Sequence, residues 1–346
     1  MVRIVRDGPE SRDPAMRARP LQLKRSTVVT LGTVSPRCDS VRLMARGFSS
    51  LAPVGPGEDV PFQGITLPVH VLVPKDVARW QTDSRIQHQT GEPLPAGSLV
   101  RVEPGLLLSS PEHIVLHEAP RLDLLPLVWL ISELCSRYAI HPSLGGPLFP
   151  ARPLTSLARV AAYLEEAVRH GAYGAKKALR ATGLAIEGAA SPRELVLALC
   201  LTLPRAMGGY AVPKPLLNHR VNADRRIRAM YNRSHFTVDA CWPQARLAVE
   251  YDSDSYHLDP VKRAQDNDRR AALEEMGYRV IPISTKQQDG LVLSDNAFQR
   301  IAKHLGIKNR TGEARYDWQA RRSDLRRCLW GLAARGADAQ PGCAIG

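Results

Sequence analysis

Three acidic residues lie on two short apolar segments between positions 236 and 252, namely Asp239, Glu250 and Asp252. Side chains two apart on a strand point to the same face, so Glu250 and Asp252 are neighbours, and an antiparallel partner strand brings Asp239 opposite them. Like charges this close repel unless a cation lies among them. Carboxylate oxygens are the ligands that Mg²⁺ and Mn²⁺ prefer. The spacing therefore predicts a divalent metal site on a β-hairpin.

The predicted hairpin turns at Trp242-Pro243-Gln244, between two segments in which apolar and polar residues alternate. An alternative interpretation is a solvated strand face, on which Arg or Lys side chains neutralise the three carboxylates.

The same stretch resembles a known family. Its residues read Asp239-Ala240-Cys241-Trp242-Pro243, then Leu247-Ala248-Val249-Glu250-Tyr251-Asp252, then Ser253 to His257. This string is similar to the core of the very-short-patch-repair (Vsr-like) endonuclease branch of the PD-(D/E)xK nuclease superfamily. The resemblance implies an α/β, restriction-endonuclease-like core with a mixed sheet flanked by helices. It also implies a metal-dependent endonuclease that hydrolyses DNA phosphodiester bonds, in DNA repair or in defence against foreign DNA.

The resemblance also implies roles for residues of the hairpin. Asp239 and Glu250, with the Tyr251 carbonyl, would bind Mg²⁺ (or Mn²⁺), which polarises the phosphate and acidifies a bound water. Asp252 stands where the wider superfamily has a lysine and would be a second ligand or a base. His257 would protonate the leaving oxygen or stabilise charge on the phosphate. A buried structural histidine is the alternative for His257, and the general base is left open.

Two further residues are candidates outside the hairpin. Glu194 lies on a predicted helix from Ser191 to Leu203, at the position of an acidic residue that reaches the metal in the resembled nucleases. Ser-x-x-Glu is equally the pattern of a capping box, in which the glutamate binds backbone donors at the helix start. Lys262, on a helix that begins at Asp259-Pro260, could replace the missing strand lysine, or could simply be exposed.

The charge of the chain favours an anionic partner. Lys and Arg outnumber Asp and Glu by 47 to 34, a formal net charge of +13. We expect DNA to be that partner. The residues expected to contact its backbone are Lys262 and the arginines of a predicted loop before Phe236, namely Arg225, Arg226 and Arg228. A face of the last helix either contacts nucleic acid or is solvated, and it carries Arg321, Arg322, Arg326 and Arg327.

The chain has room for several domains. We predict a basic, largely irregular segment over 1–65, a small α+β accessory domain over 66–150, a helical connector over 151–187, the nuclease domain over 188–310, and a basic helix and tail over 311–346. The order of short motifs over about 66–140 resembles the central domain of AbiEi-type antitoxin-like proteins. That resemblance supports a rival function, a catalytically inactive nuclease-fold protein that binds DNA as a toxin-antitoxin or transcriptional regulator.

The remaining composition points to a cytoplasmic protein without a membrane segment. Six cysteines lie far apart with no Cys-x-x-Cys pair, and no secretory leader is visible. The longest apolar run, Leu124 to Ile131, is far shorter than the roughly 20 residues of a membrane span.

Overall fold

The computed structural model describes residues 28–29, 69–73, 85–89, 94–103, 106–140, 148–252, 260–284, 287, 291–307 and 313–334. The chain forms two compact units, the first extending to Ala185 and the second from Ile186 to Ala333. Within those ranges, no helix combines the length and the apolar character needed to cross a membrane.

The first unit contains a mixed sheet in the order β3-β2-β1-β5-β4. Its strands are β1 (Val28–Val29), β2 (Val69–Val73), β3 (Arg85–Gln89), β4 (Leu99–Glu103) and β5 (Leu106–Ser109). Strand β1 lies within the segment predicted as largely irregular, and it pairs with both β2 and β5. Two residues are too few to show an alternating pattern, so only the pairing partners reveal this strand.

Four helices and a two-stranded ribbon follow in the described part of the first unit. They are α1 (Pro111–Glu118), α2 (Leu124–Leu134), β6 (Tyr138–Ile140), β7 (Leu148–Pro150), α3 (Leu157–Arg169) and α4 (Ala175–Leu184). Ser110 caps α1 as predicted, because its hydroxyl accepts a hydrogen bond from the His113 backbone N–H at 3.1 Å. The His113 ring contacts the Tyr163 hydroxyl at 3.0 Å, and burial lowers the pKa of His113 to about 4.

The second unit is an α/β fold, a mixed four-stranded sheet flanked by helices. Its elements in chain order are α5 (Pro192–Thr202), β8 (Leu216–Asn222), α6 (Arg225–Tyr231), β9 (His235–Trp242), β10 (Leu247–Asp252), α7 (Pro260–Glu275), β11 (Arg279–Ser284), α8 (Leu291–His304) and α9 (Glu313–Ala334). Helix α5, the hairpin strands β9 and β10, and the start of α7 lie where the sequence predicted them. The arginines before Phe236 lie on α6 and not in a loop, because the Asp224 carboxylate accepts a hydrogen bond from the Ile227 N–H at 2.8 Å and caps a helix there.

The strand order of this sheet is β11-β10-β9-β8. Strands β8, β9 and β10 pair antiparallel in succession, and β11 pairs parallel to β10. Pro282 lies on β11, at the edge of the sheet, as its missing N–H predicts. The long connection that a parallel pair requires is supplied by α7.

An apolar core holds α6 and α7 against the sheet. It includes Phe236 and Val238 of β9, Ile227 of α6, and Ala272 and Leu273 of α7. Each of the five is at most 3% exposed. Burial of a large apolar side chain contributes about 1.5–3 kcal/mol, so this cluster fixes the helix that faces the predicted site.

Candidate active site

The hairpin is formed as predicted. Strands β9 and β10 pair through Leu247↔Trp242, Ala248↔Cys241 and Val249↔Ala240, around a 3-10 turn at Pro243–Ala245. The Trp242 indole N–H donates to the Pro213 carbonyl at 2.7 Å and ties this end to the preceding segment. The carboxylates of Asp239 and Glu250 follow directly beyond the paired residues.

Asp239 lies in a place where a negative charge is unfavourable. One of its carboxylate oxygens accepts a hydrogen bond from the Tyr251 backbone N–H at 2.6 Å. Burial is the main reason that the pKa of Asp239 is raised to about 7, and the nearby Glu194 and Glu250 carboxylates contribute, against the opposing effects of the Tyr251 N–H and Arg269. The folded protein therefore favours the protonated form of the Asp239 carboxyl far more than an exposed aspartate would.

Glu250 is a buried carboxylate with a cation beside it. The residue is 1% exposed, and its Oε1 forms an ion pair with the Nε of Arg269 at 2.8 Å. Arg269 lies on α7, one helical turn after Asp266, and its second guanidinium nitrogen pairs with Asp266 at 3.2 Å. Glu250 is therefore buried and does not lie on a solvated strand face. It does have an arginine partner, as that alternative interpretation expected.

Glu194 forms the capping box of one interpretation, and its carboxylate also lies near Asp239. Its backbone N–H donates to the Ser191 hydroxyl at 3.2 Å, and its carboxylate accepts from the Ser191 hydroxyl at 3.0 Å and from the Ala190 N–H at 2.9 Å, as in a capping box. The same carboxylate raises the pKa of Asp239. Glu194 is therefore a helix cap and also a member of the acidic cluster.

Asn218 is a site residue that the sequence interpretation missed. Its side-chain amide donates to the Glu194 carboxylate at 2.7 Å and to the Gly188 carbonyl at 3.1 Å. Its φ of 48° lies in the left-handed region, although it stands within β8. Asparagine tolerates that region better than most residues, and it is uncommon in strands. An asparagine inside a predicted strand was the available signal.

Tyr251, predicted to offer its carbonyl to the metal, has its backbone beside Asp239. Its hydroxyl accepts a hydrogen bond from Arg193 of α5 at 3.2 Å. The Arg193 guanidinium also lies over the Trp330 ring of α9, 5.0 Å from the ring centroid. The three side chains connect the end of the hairpin with α5 and α9.

The other predicted site residues lie at the edges of the ranges that the structure describes, or outside them. Asp252 is the last residue of β10, and Lys262 is in the first turn of α7, but their side chains fall outside the described part of the structure, as does the whole of His257. Their proposed roles remain predictions from the sequence.

The predicted DNA-contacting arginines are exposed on α6, namely Arg225, Arg226 and Arg228. Arg226 pairs with Glu275 of α7 at 2.9 Å, and Arg228 donates to the Ala223 carbonyl at 3.2 Å. Each remains accessible to a phosphate.

The arginine-rich face of α9 departs from expectation at two of its four members. Arg322 and Arg326 are 5% and 6% exposed, so they lie neither in solvent nor on a nucleic-acid surface. Arg322 pairs with Asp295 at 2.8 Å and stacks on Trp318, and Arg326 donates to the Ser294 hydroxyl. Both occupy the buried stripe of α9, because positions 318, 322, 325, 326 and 329 share one helical face.

The donor set is compatible with a hard divalent cation. No three His, Cys, Asp or Glu side chains within the described ranges form a ready-made metal cage. Asp239 and Glu250 nevertheless supply two neighbouring carboxylates, and the charges of Glu250 and Glu194 both raise the pKa of Asp239. A divalent cation would offset this repulsion, and Arg269 already supplies one positive charge beside Glu250.

Comparisons with known proteins find uncharacterized relatives over part of the chain. Two similar relatives are uncharacterized protein MT2308 of Mycobacterium tuberculosis strain CDC 1551 / Oshkosh and uncharacterized protein Rv2248 of strain ATCC 25618 / H37Rv. Each is 29% identical over 99 residues, which are 28% of this chain and 32% of the relative. The match thus spans about a third of the length of these curated relatives. No family model matches the chain, and no solved structure matches it.

Proposed function

We propose that the second unit is a metal-dependent endonuclease that hydrolyses DNA phosphodiester bonds, with a restriction-endonuclease-like core of the Vsr-like branch. One observation carries this proposal. The Glu194 and Glu250 carboxylates, from α5 and β10, lie close to the buried Asp239 carboxyl of β9, and their charges add to the effect of burial, so that the pKa of Asp239 rises to about 7. Perturbed carboxylates that converge from separate elements are typical of catalytic sites.

Buried carboxylates that lie close together destabilise the fold, because their charges repel. A function that requires these carboxylates explains why the protein contains them. Mg²⁺ or Mn²⁺, when bound, would supply Lewis acidity and positive charge beside a phosphate. Asp239 and Glu250 would hold the cation, and Glu194, itself fixed by Asn218, would support them. Near neutral pH the Asp239 carboxyl carries a proton part of the time and must release it to become a ligand.

Positive side chains of the second unit suit a nucleic-acid backbone. Arginines of α6 are exposed, and Arg269 of α7 reaches Glu250 from a partly exposed position. Arginine binds phosphate oxygens through parallel N–H donors, and contacts of this kind position a duplex without reading its sequence. We therefore assign DNA binding to the same unit as the carboxylates. Asp252 and His257 remain the candidates for the proton transfers of hydrolysis.

A second candidate function is favoured by the Arg269–Glu250 ion pair. Because Arg269 already neutralises Glu250, and Glu194 already binds Ser191 and Asn218, the site has internal partners for its charges. A nuclease fold of this kind could bind DNA without cleaving it and act as a toxin-antitoxin or transcriptional regulator. The first unit would then be an AbiEi-like accessory region.

One experiment separates the two candidates. A complex is formed between the full chain and a fluorescein-labelled DNA duplex in EDTA, and excess Mg²⁺ or Mn²⁺ is then added. The endonuclease predicts that the duplex is cut after the metal is added, and that Asp239→Asn protein binds the duplex but leaves it intact. A stable complex with uncut DNA across several duplexes and both metals would favour the regulator.

A further inference from the structure

Arg269 occupies the boundary between the buried carboxylates and solvent. Its side chain is 33% exposed, whereas the side chain of Glu250 that it pairs with is 2% exposed. The Nε edge of the guanidinium faces Glu250 at 2.8 Å, and one terminal nitrogen faces Asp266 at 3.2 Å. The Nε edge of the Arg269 guanidinium therefore contacts the buried carboxylates, and the exposed part of the side chain is accessible to a ligand from solvent.

The pairing of Glu250 with Arg269 conflicts with the binding of a metal by Glu250. A buried carboxylate stays ionised only with a cation beside it, and in the described structure Arg269 is such a cation. A divalent ion on Glu250 would repel the guanidinium and take over one of its contacts. The guanidinium would then be left a few ångströms from a bound phosphate, and its planar set of donors matches phosphate oxygens.

We propose that Arg269 is an internal counter-ion that occupies Glu250 while the site holds no metal and binds the substrate phosphate once a divalent ion displaces it. The inference rests on the proposed function. It assigns to Arg269, on a helix, the phosphate-binding charge that the sequence interpretation sought in Lys262. Asp266 holds the displaced side chain near the site, because it contacts a different nitrogen of the guanidinium.

Metal affinity is the first test. Protein stripped with EDTA is titrated with Mn²⁺ by calorimetry, as wild type, Arg269→Gln, Arg269→Lys and Asp239→Asn. Removing the competing charge should tighten Mn²⁺ binding about tenfold in Arg269→Gln, while Arg269→Lys, which keeps the charge, should stay within about threefold of wild type. Arg300→Gln, at an exposed position of α8, is the matched control and should bind like wild type. Equal or weaker binding by Arg269→Gln would overturn the proposal.

DNA affinity is the second test, measured by fluorescence anisotropy in Ca²⁺ over a range of salt. Arg269→Gln should bind more weakly than wild type, and the slope of log affinity against log salt should fall by about one, as expected for the loss of one phosphate contact. A role that is only structural would leave this slope unchanged.

The third test uses wild-type protein only, so its result does not depend on whether a variant folds. The NMR resonance of the Arg269 Nε–H should change its chemical shift when Mg²⁺ replaces EDTA, because the ion pair with Glu250 is lost. An unchanged chemical shift in a protein that binds Mg²⁺ through Asp239 would overturn the role of Arg269 and leave the proposed function standing. If no variant binds Mg²⁺ or Mn²⁺, both the inference and the proposed function are wrong.

Discussion

Replacing Asp239 by Asn should stabilise the metal-free protein, with a dependence on pH that the structure defines. The pKa of Asp239 is raised from an ordinary 3.8 to about 7, so the folded state favours the protonated form. The contribution of Asp239 to the free energy of unfolding is fully present below its ordinary pKa of 3.8. That contribution is lost as the pH rises through about 7. Each tenfold change in the ionisation constant corresponds to about 1.4 kcal/mol, so the loss is at most about 4 kcal/mol.

Asn is the appropriate replacement because it preserves the shape of the side chain. Its carbonyl can still accept the hydrogen bond from the Tyr251 N–H, and it carries no charge at any pH. In EDTA the unfolding free energies of the two proteins should therefore agree near pH 4, and Asp239→Asn should exceed wild type by up to about 4 kcal/mol at pH 8. In a unit of this size, each kcal/mol corresponds to about 2–4 °C in melting temperature.

The assay is urea denaturation between pH 4 and 8, with Asp317→Asn as the control. Asp317 is exposed on α9, so its replacement should change stability by less than about 0.5 kcal/mol at every pH. Adding Mn²⁺ should reverse the ranking of wild type and Asp239→Asn, because only wild type gains binding free energy. A variant no more stable than wild type at pH 8 in EDTA would refute the claim that Asp239 is a strained carboxylate.

Three further outcomes follow from the contacts. Glu194→Gln keeps an oxygen to cap α5 but removes a charge beside Asp239, so NMR titration should find a lower Asp239 pKa than in wild type. Asn218→Ala loses two hydrogen bonds at φ 48° and should destabilise by about 1–3 kcal/mol in urea denaturation, whereas Asn218→Gly should recover part of this loss. DNA affinity should fall steeply between about 50 and 200 mM salt. The slope of log affinity against log salt should decrease by about three when the α6 arginines, Arg225, Arg226 and Arg228, are all replaced by Gln. An unchanged slope would show that these arginines do not contact DNA.

Local patterns allowed much of the second unit to be predicted. The alternation around Asp239 and Glu250 predicted β9 and β10, and Ser191-Pro192 predicted the start of α5, because each signal lies within a few neighbouring residues. The local hairpin alone brings Asp239 and Glu250 together, because β9 and β10 are joined by a short turn.

The partners of the cluster could not be predicted from local patterns, because they come from distant positions. Arg269 reaches Glu250 only after α7 packs on the core, and Asn218 reaches Glu194 only after β8 and α5 are placed. The burial of Arg322 and Arg326 is different, since their helical spacing with Trp318 was visible in the sequence. The charge of the arginines suggested that this face of α9 is exposed. Arg322 is buried instead, because its charge is neutralised by Asp295.

Nicking of supercoiled plasmid DNA tests the central claim most directly. Purified full-length protein is incubated with plasmid in Mg²⁺ or Mn²⁺, with EDTA, and in parallel as Asp239→Asn and Glu250→Gln. The proposed endonuclease predicts open-circular and linear products only from wild type with metal, and a loss of at least about a hundredfold in each variant, since each removes a charged metal ligand. Cleavage by Asp239→Asn at the wild-type rate, or cleavage that persists in EDTA, would contradict the account.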